Sequence, residues 1–137
     1  LLLEKTQVNV RKLLLVCSAA LLGLAFASED APPEHQKWMK DLGNQMGSLR
    51  KGIEVEKNAT DMQGVLKEVA SFWQKRPSDV GLKSCKDTSD GAAVIVRAAQ
   101  AGDKAGIAAG MKAVGAGCKA CHDVHREKVS ETLYRIK

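Results

Sequence analysis

"GCKACHDVHR", residues Gly117–Arg126, sets Cys118, Cys121, His122 and His125 at steps of three, one and three. On a helix those steps bring all four residues to one face. Ile107, Met111 and Val114 lead into the stretch at steps of four and three, the period of an apolar helical stripe. The spacing therefore predicts a helix that carries chemistry, and this helix is expected to continue as far as Tyr134. Gly106, Gly110, Gly115 and Gly117 lie on the same segment, each costing a helix interior about 1 kcal/mol relative to Ala. Small residues at that cost are expected to leave room for something bulky against the backbone.

Three further helices are predicted upstream. After the polar leader "SEDAPPE", Pro33 is suited to the first turn of a helix. Trp38, Met39, Leu42, Met46, Leu49 and Ile53 then recur at helical spacing, and "KNATD" is read as a break, with Asn58 or Thr60 capping the next helix. Met62, Val65, Leu66, Val69, Phe72 and Trp73 form a second stripe that ends before Pro77. Ser78 is placed to cap a third, on which Val80, Cys85, Ala92, Ile95, Val96 and Ala99 share a face. Gly102-Asp103 stops that helix and caps the fourth. Four amphipathic segments with short connections and no convincing strand give an all-α, antiparallel up-down-up-down four-helix bundle over residues 34–137. Large side chains are scarce: past residue 27 the aromatics are Trp38, Phe72, Trp73 and Tyr134, so a flat apolar group would be accepted as part of the core.

Residues 1–27 read differently. Arg11-Lys12 precede the apolar run "LLLVCSAALLGLAF", which ends in Ala25-Phe26-Ala27. A basic region, a short apolar region and small residues at −3 and −1 describe a secretory signal peptide, followed by a leader over 28–33. The run is shorter than the roughly 20 residues that a membrane span takes, so no stable membrane anchor is expected. Cleavage after Ala27 would leave Cys85, Cys118 and Cys121, an odd number that argues against a disulfide framework in an exported chain. Across 137 residues, 21 Lys and Arg are interspersed with 16 Asp and Glu, and no run of like charge suggests a nucleic-acid arm.

Three chemistries compete for Cys118, Cys121 and His122. A tetrahedral zinc site needs four ligands about 2.0–2.3 Å from one ion, whereas one helix face spreads these four over roughly 10 Å. A thioredoxin-like dithiol belongs at a helix N-terminus beside a βαβ unit, and this pair lies late in the last helix of an all-α chain. Covalent haem suits the spacing: thiols at i and i+3 can each bond one vinyl group, and the adjacent imidazole can reach the iron. C-x-x-C-H is the sequence signal of such attachment.

"CKACHDVHR" near the end of a four-helix chain resembles the haem site of the cytochrome c′ family, in which CKACH is followed by an aromatic residue and Arg. The resemblance implies one haem c per chain, thioether links at Cys118 and Cys121, His122 as the proximal iron ligand and Arg126 near the haem edge or a propionate. His125 departs from the pattern by standing where the family usually has Tyr or Phe. In low-spin members a first-helix Met supplies the sixth ligand, and "KWMKDLG" puts Met39 in the matching place, with Trp38 beside it expected to pack on the porphyrin or the core. Met46, His35 or an open site remain as alternatives.

Met with His as the axial pair implies an exported, periplasmic one-electron carrier that meets redox partner proteins. The alternative is a five-coordinate cytochrome c′ that binds NO or CO. No enzyme activity is expected, since His35 is the one distal base and nothing in the sequence orients it. Lys37, Lys40 and Lys119 are candidates to steer an acidic partner. Homodimers are common in the family that the chain resembles, which makes a homodimer a candidate state.

Overall fold

The computed structural model describes residues 29–137, so the signal peptide read over 1–27 lies outside the described residues. Helix α1 spans Pro33–Arg50, α2 Val55–Lys75, α3 Asp79–Gln100 and α4 Lys104–His125. They form the expected four-helix bundle. Three stops and starts follow local chemistry. Pro33 opens α1 where a missing N–H costs nothing. The Ser78 and Asp103 side chains accept hydrogen bonds from the Gly81 and Gly106 amides and so cap α3 and α4, each typically worth about 1 kcal/mol. Gly102, at φ +66°, turns the chain between them.

The start of α2 differs from expectation. Neither Asn58 nor Thr60 caps it, because the helix begins at Val55, just past Glu54 at φ 41°. The Asn58 side chain donates back to the Ile53 and Glu54 carbonyls, and the Thr60 hydroxyl donates to the Glu56 carbonyl. Both residues thus sit inside the first two turns, satisfied by backbone oxygens.

The end of the chain is a second correction, since α4 stops at His125 and does not run on to Tyr134. Strand β2 (Arg126–Lys128) and strand β3 (Tyr134–Ile136) form a hairpin, and β1 (Glu29–Asp30) adds to the other edge of β3. All pairs are antiparallel, with Arg126 opposite Ile136 and Asp30 opposite Arg135. Val129, Thr132, Tyr134 and Ile136 favour extended backbone, and the Ser130 hydroxyl accepts the Thr132 and Leu133 amides at the turn. Ile136 is buried in the main core, which pins the sheet to the bundle. Glu29–Asp30 of the leader are held here as β1.

Broad packing joins α1 to α2, α2 to α3, and α3 to α4. The α3–α4 pair is tightest because small residues line it. A Cβ added at Gly110 would fall 2.5 Å from Ile95 Cγ1 and 2.9 Å from the Gly91 carbonyl, and one at Gly117 would run into Thr88. In the Cβ direction the room at these two glycines is therefore filled by α3, whereas the expectation was that it would serve a bulky group; Gly117 nevertheless also borders a cavity. Gly115 does face open space.

Gly91→Ala should consequently destabilise the bundle, because its Cβ would lie 2.9 Å from the Val114 backbone nitrogen. Overpacking of about 1–3 kcal/mol exceeds the helix-propensity gain of about 1 kcal/mol. Gly115→Ala has only the gain. Urea unfolding of both variants should move the midpoints in opposite directions.

Candidate functional site

Between α1 and α4 the bundle is held apart, and side chains from both helices border two adjoining cavities of about 380 and about 230 Å³. Four residues border both: Met39 and Gly43 from α1, Cys121 and His122 from α4. Cys118, Met46 and Arg50 border the smaller cavity, against a wall of Met62, Leu66, Val69 and Cys85. His35, Trp73, His125 and Arg126 border the larger one, whose remaining wall includes Tyr134, Arg135 and Ile136 of the C-terminal strand. The predicted residues Met39, Cys118, Cys121, His122 and Arg126 are thus gathered around one cleft. Trp38 is not: it borders neither cavity and sits edge-on to His35 at 6.1 Å.

The thiols of this cleft are held protonated. Burial raises Cys118, against a hydrogen bond from Thr88 that lowers it. Cys121 is pushed up to about 11 by burial and by Cys118, and Cys85 to about 12 by burial and by the two other cysteines. A redox dithiol needs the opposite shift, so the reading as a thioredoxin-like pair loses its chemical basis. Burial, followed by the charge of Arg126 and opposed by Asp123, lowers the His122 pKa and keeps its ring neutral, the form that offers a lone pair to a metal. Among the described residues, no group of three or more His, Cys, Asp or Glu side chains is arranged to hold a metal ion.

The cleft suits a flat cofactor attached at both ends of one helical turn. Its walls are mainly apolar, and the larger cavity alone reaches the volume of ligand sites, about 300–1,000 Å³. Trp73 borders the larger cavity with its Nε1 buried and without an acceptor, and a buried donor of that kind calls for an acidic or carbonyl oxygen from an incoming group. Two thiols and an imidazole on one face complete a donor set that fits haem c.

Sequence reasoning left His125 without a role. Its ring packs on Trp73 with centroids 4.3 Å apart, in the manner of an aromatic residue. Nδ1 lies 2.8 Å from the Lys137 carbonyl oxygen and Nε2 lies 2.6 Å from Ser78 Oγ. In the neutral ring Nδ1–H donates to the carbonyl and the Ser78 hydroxyl donates to Nε2, so His125 ties the α3 cap to the last strand. The contributions of Tyr134, Arg135 and Ile136 were also missed, because the helix was expected to run as far as Tyr134 and no strand was assigned beyond it; the β-branched and aromatic residues there were the available signal. Arg126 stacks over the Tyr134 ring at 3.6 Å, and Arg135 pairs with Asp30 at 2.9 Å. Lys37 and Lys119 are paired with Asp41 and Asp123, respectively.

His35 is buried among Trp38, Phe72 and Trp73. Burial first, then the nearby His122 and Arg76, holds its pKa below the ordinary value of about 6.5. The unfolded chain takes up this proton before the folded chain does. The stability from a neutral His35 is therefore present above about pH 6.5 and lost as pH falls through the folded value. Urea midpoints should decline with acidification across that window, and His35→Phe should flatten the decline.

Residues 70–126 match the family model described as Cytochrome C′, a span that takes in the end of α2 and all of α3 and α4. No curated protein and no solved structure matches the chain significantly.

Proposed function

The chain belongs to the cytochrome c′ family and is a haem c-binding cytochrome, and from that premise we propose that it is an exported carrier of single electrons. Bound haem c supplies a reversible one-electron iron couple. Cys118 and Cys121 provide the thiols for its two thioether bonds, and His122 provides the proximal nitrogen. Met39 provides the sixth ligand. One observation carries this choice: of the three candidates, Met39 alone borders both cavities, as His122 does, whereas His35 borders only the larger and Met46 only the smaller. Because α1 lies outside the matched span, that role rests on the geometry of this chain.

With Met39 and His122 as its protein ligands, bound haem c would supply a one-electron couple at a potential raised relative to a bare site, which suits outer-sphere transfer. The apolar wall of Leu42, Met62, Leu66 and Val69 excludes water from the cleft, and half-buried Met39 closes it from the α1 side. Arg126 and the Trp73 indole N–H serve as donors for the carboxylates of the cofactor. The function proposed is transfer between partner proteins in the periplasm and not catalysis. Among the described residues no helix is long and apolar enough to cross a membrane.

Optical spectra of the purified holoprotein test the reading. Low-spin bands in both oxidation states with little response to CO are expected, and Met39→Ala should convert them to high-spin bands that shift on adding CO. A wild-type protein that is already high-spin and CO-reactive would instead identify a five-coordinate gas binder. Replacing both Cys118 and Cys121 with Ala should abolish haem that survives a denaturing gel.

A further inference from the structure

The C-terminal hairpin sets one aromatic ring against one charge. Arg126 is the first residue of β2 and lies opposite Ile136 of β3. Directly opposite residues share a face of the sheet, and so do residues two apart on one strand, so Arg126, Tyr134 and Ile136 lie on the same face. Ile136 is buried in the core, which makes this the face turned to the bundle. A diagonal neighbour across an antiparallel pair is within reach of a long side chain. Arg126 Cζ accordingly lies 3.6 Å from the centre of the Tyr134 ring. All three residues border the larger cavity, together with Met39 and His122. The other cations of β2 and β3 are engaged elsewhere: Lys128 pairs with Glu131 and Arg135 with Asp30. Among the described residues no ion pair includes Arg126.

The backbone on either side of Tyr134 is fixed. The Val129 amide donates to the Leu133 carbonyl at 2.9 Å, and the Lys137 amide donates to the His125 carbonyl at 3.0 Å. Tyr134 is half-buried and Arg126 is exposed, so the ring is the platform and the guanidinium the partner that needs holding. We propose that Tyr134 is a positioning residue: its ring holds the Arg126 guanidinium at the larger cavity, where that charge raises the potential of the bound haem. The proposal rests on the reading of this cleft as the haem site. A positive charge held beside a redox group favours the reduced form, which carries one positive charge fewer. Without the ring the Arg126 side chain spreads over many rotamers, and water and salt screen its charge. Tyr134 lies outside the span matched by the family model, so the contact is argued from this chain's own hairpin.

Spectroelectrochemical titration of the holoprotein gives midpoint potentials for the wild type, Tyr134→Leu and Tyr134→Phe, each also combined with Arg126→Gln. Tyr134→Leu should lower the potential, and Tyr134→Phe, which keeps the ring, should hold it near the wild-type value. With Arg126→Gln present, neither change should move it further. An unchanged potential in Tyr134→Leu, or an equal fall in both backgrounds, as a merely structural loss would give, overturns the proposal. Phenylglyoxal labelling of the full-length chain, mapped by mass spectrometry, tests the stack without the cofactor. Arg126 should react severalfold faster in Tyr134→Leu than in the wild type, with Arg135 unchanged. An unchanged rate at Arg126, or an equal gain at both residues, which reports an opened strand, also overturns it. Should Tyr134→Leu lose helical circular dichroism, Tyr134→Met replaces it in both measurements. A wild type that carries no covalent haem when made with the attachment machinery would refute the haem reading instead, and the labelling reports on the stack independently of it.

Discussion

The close approach of α3 and α4 is the constraint on which the rest of the molecule depends. Gly91, Gly110 and Gly117 let the two backbones come nearly into contact, with Ile95, Val114 and Thr88 fully or almost fully buried along the seam. Each glycine weakens its own helix, yet the packing that it permits locks α4 in rotation and in height. That rotation turns Cys118, Cys121 and His122 to the side on which α1 stands away. A half-turn of α4 would leave the same sequence motif facing solvent.

The opening between α1 and α4 follows from that arrangement. α1 is secured by its packing on α2, and the cleft it leaves is lined by Met39 and Gly43 on one side and by Cys121 and His122 on the other. The thiols and the imidazole stay uncharged for the same reason, since burial in an apolar cleft disfavours the charged form of each. A neutral imidazole and protonated thiols suit a metal-bearing organic group better than dithiol exchange. Trp73 Nε1 and the Arg126 guanidinium stand at the larger cavity, and Arg50 stands at the smaller one with Cys118.

The C-terminal hairpin adds a wall to this site by way of His125. With Trp73 against its ring, Ser78 at one nitrogen and the Lys137 carbonyl at the other, His125 joins the end of α4, the start of α3 and β3. Ile136 anchors the strand in the core. The residue that departs from the family pattern thus keeps its aromatic packing and gains two hydrogen bonds, which a Phe could not make.

Much was legible from residue order alone. Helical periodicity marks the four helices, Ser78 and Asp103 announce their caps, and the Cys118, Cys121, His122 spacing supplies the signal on which the proposed attachment rests, because each is a local property of a few neighbouring residues. The start of α2 was obscured because Asn58 and Thr60 resemble caps, and their actual backbone partners depend on where the helix begins. Three matters were decided only by the tertiary structure. Gly110 and Gly117 of α4 turned out to receive Ile95 and Thr88 of α3, while Gly117 also borders the smaller cavity. Tyr134 to Ile136 became strand by pairing on one edge with β1, at the far end of the described chain. Met39, rather than Met46 or His35, is the candidate that shares both cavities with His122. The physical reason is common to all three: each depends on which surfaces meet across the bundle, and a period of 3.6 residues states which face a side chain occupies without stating what lies opposite.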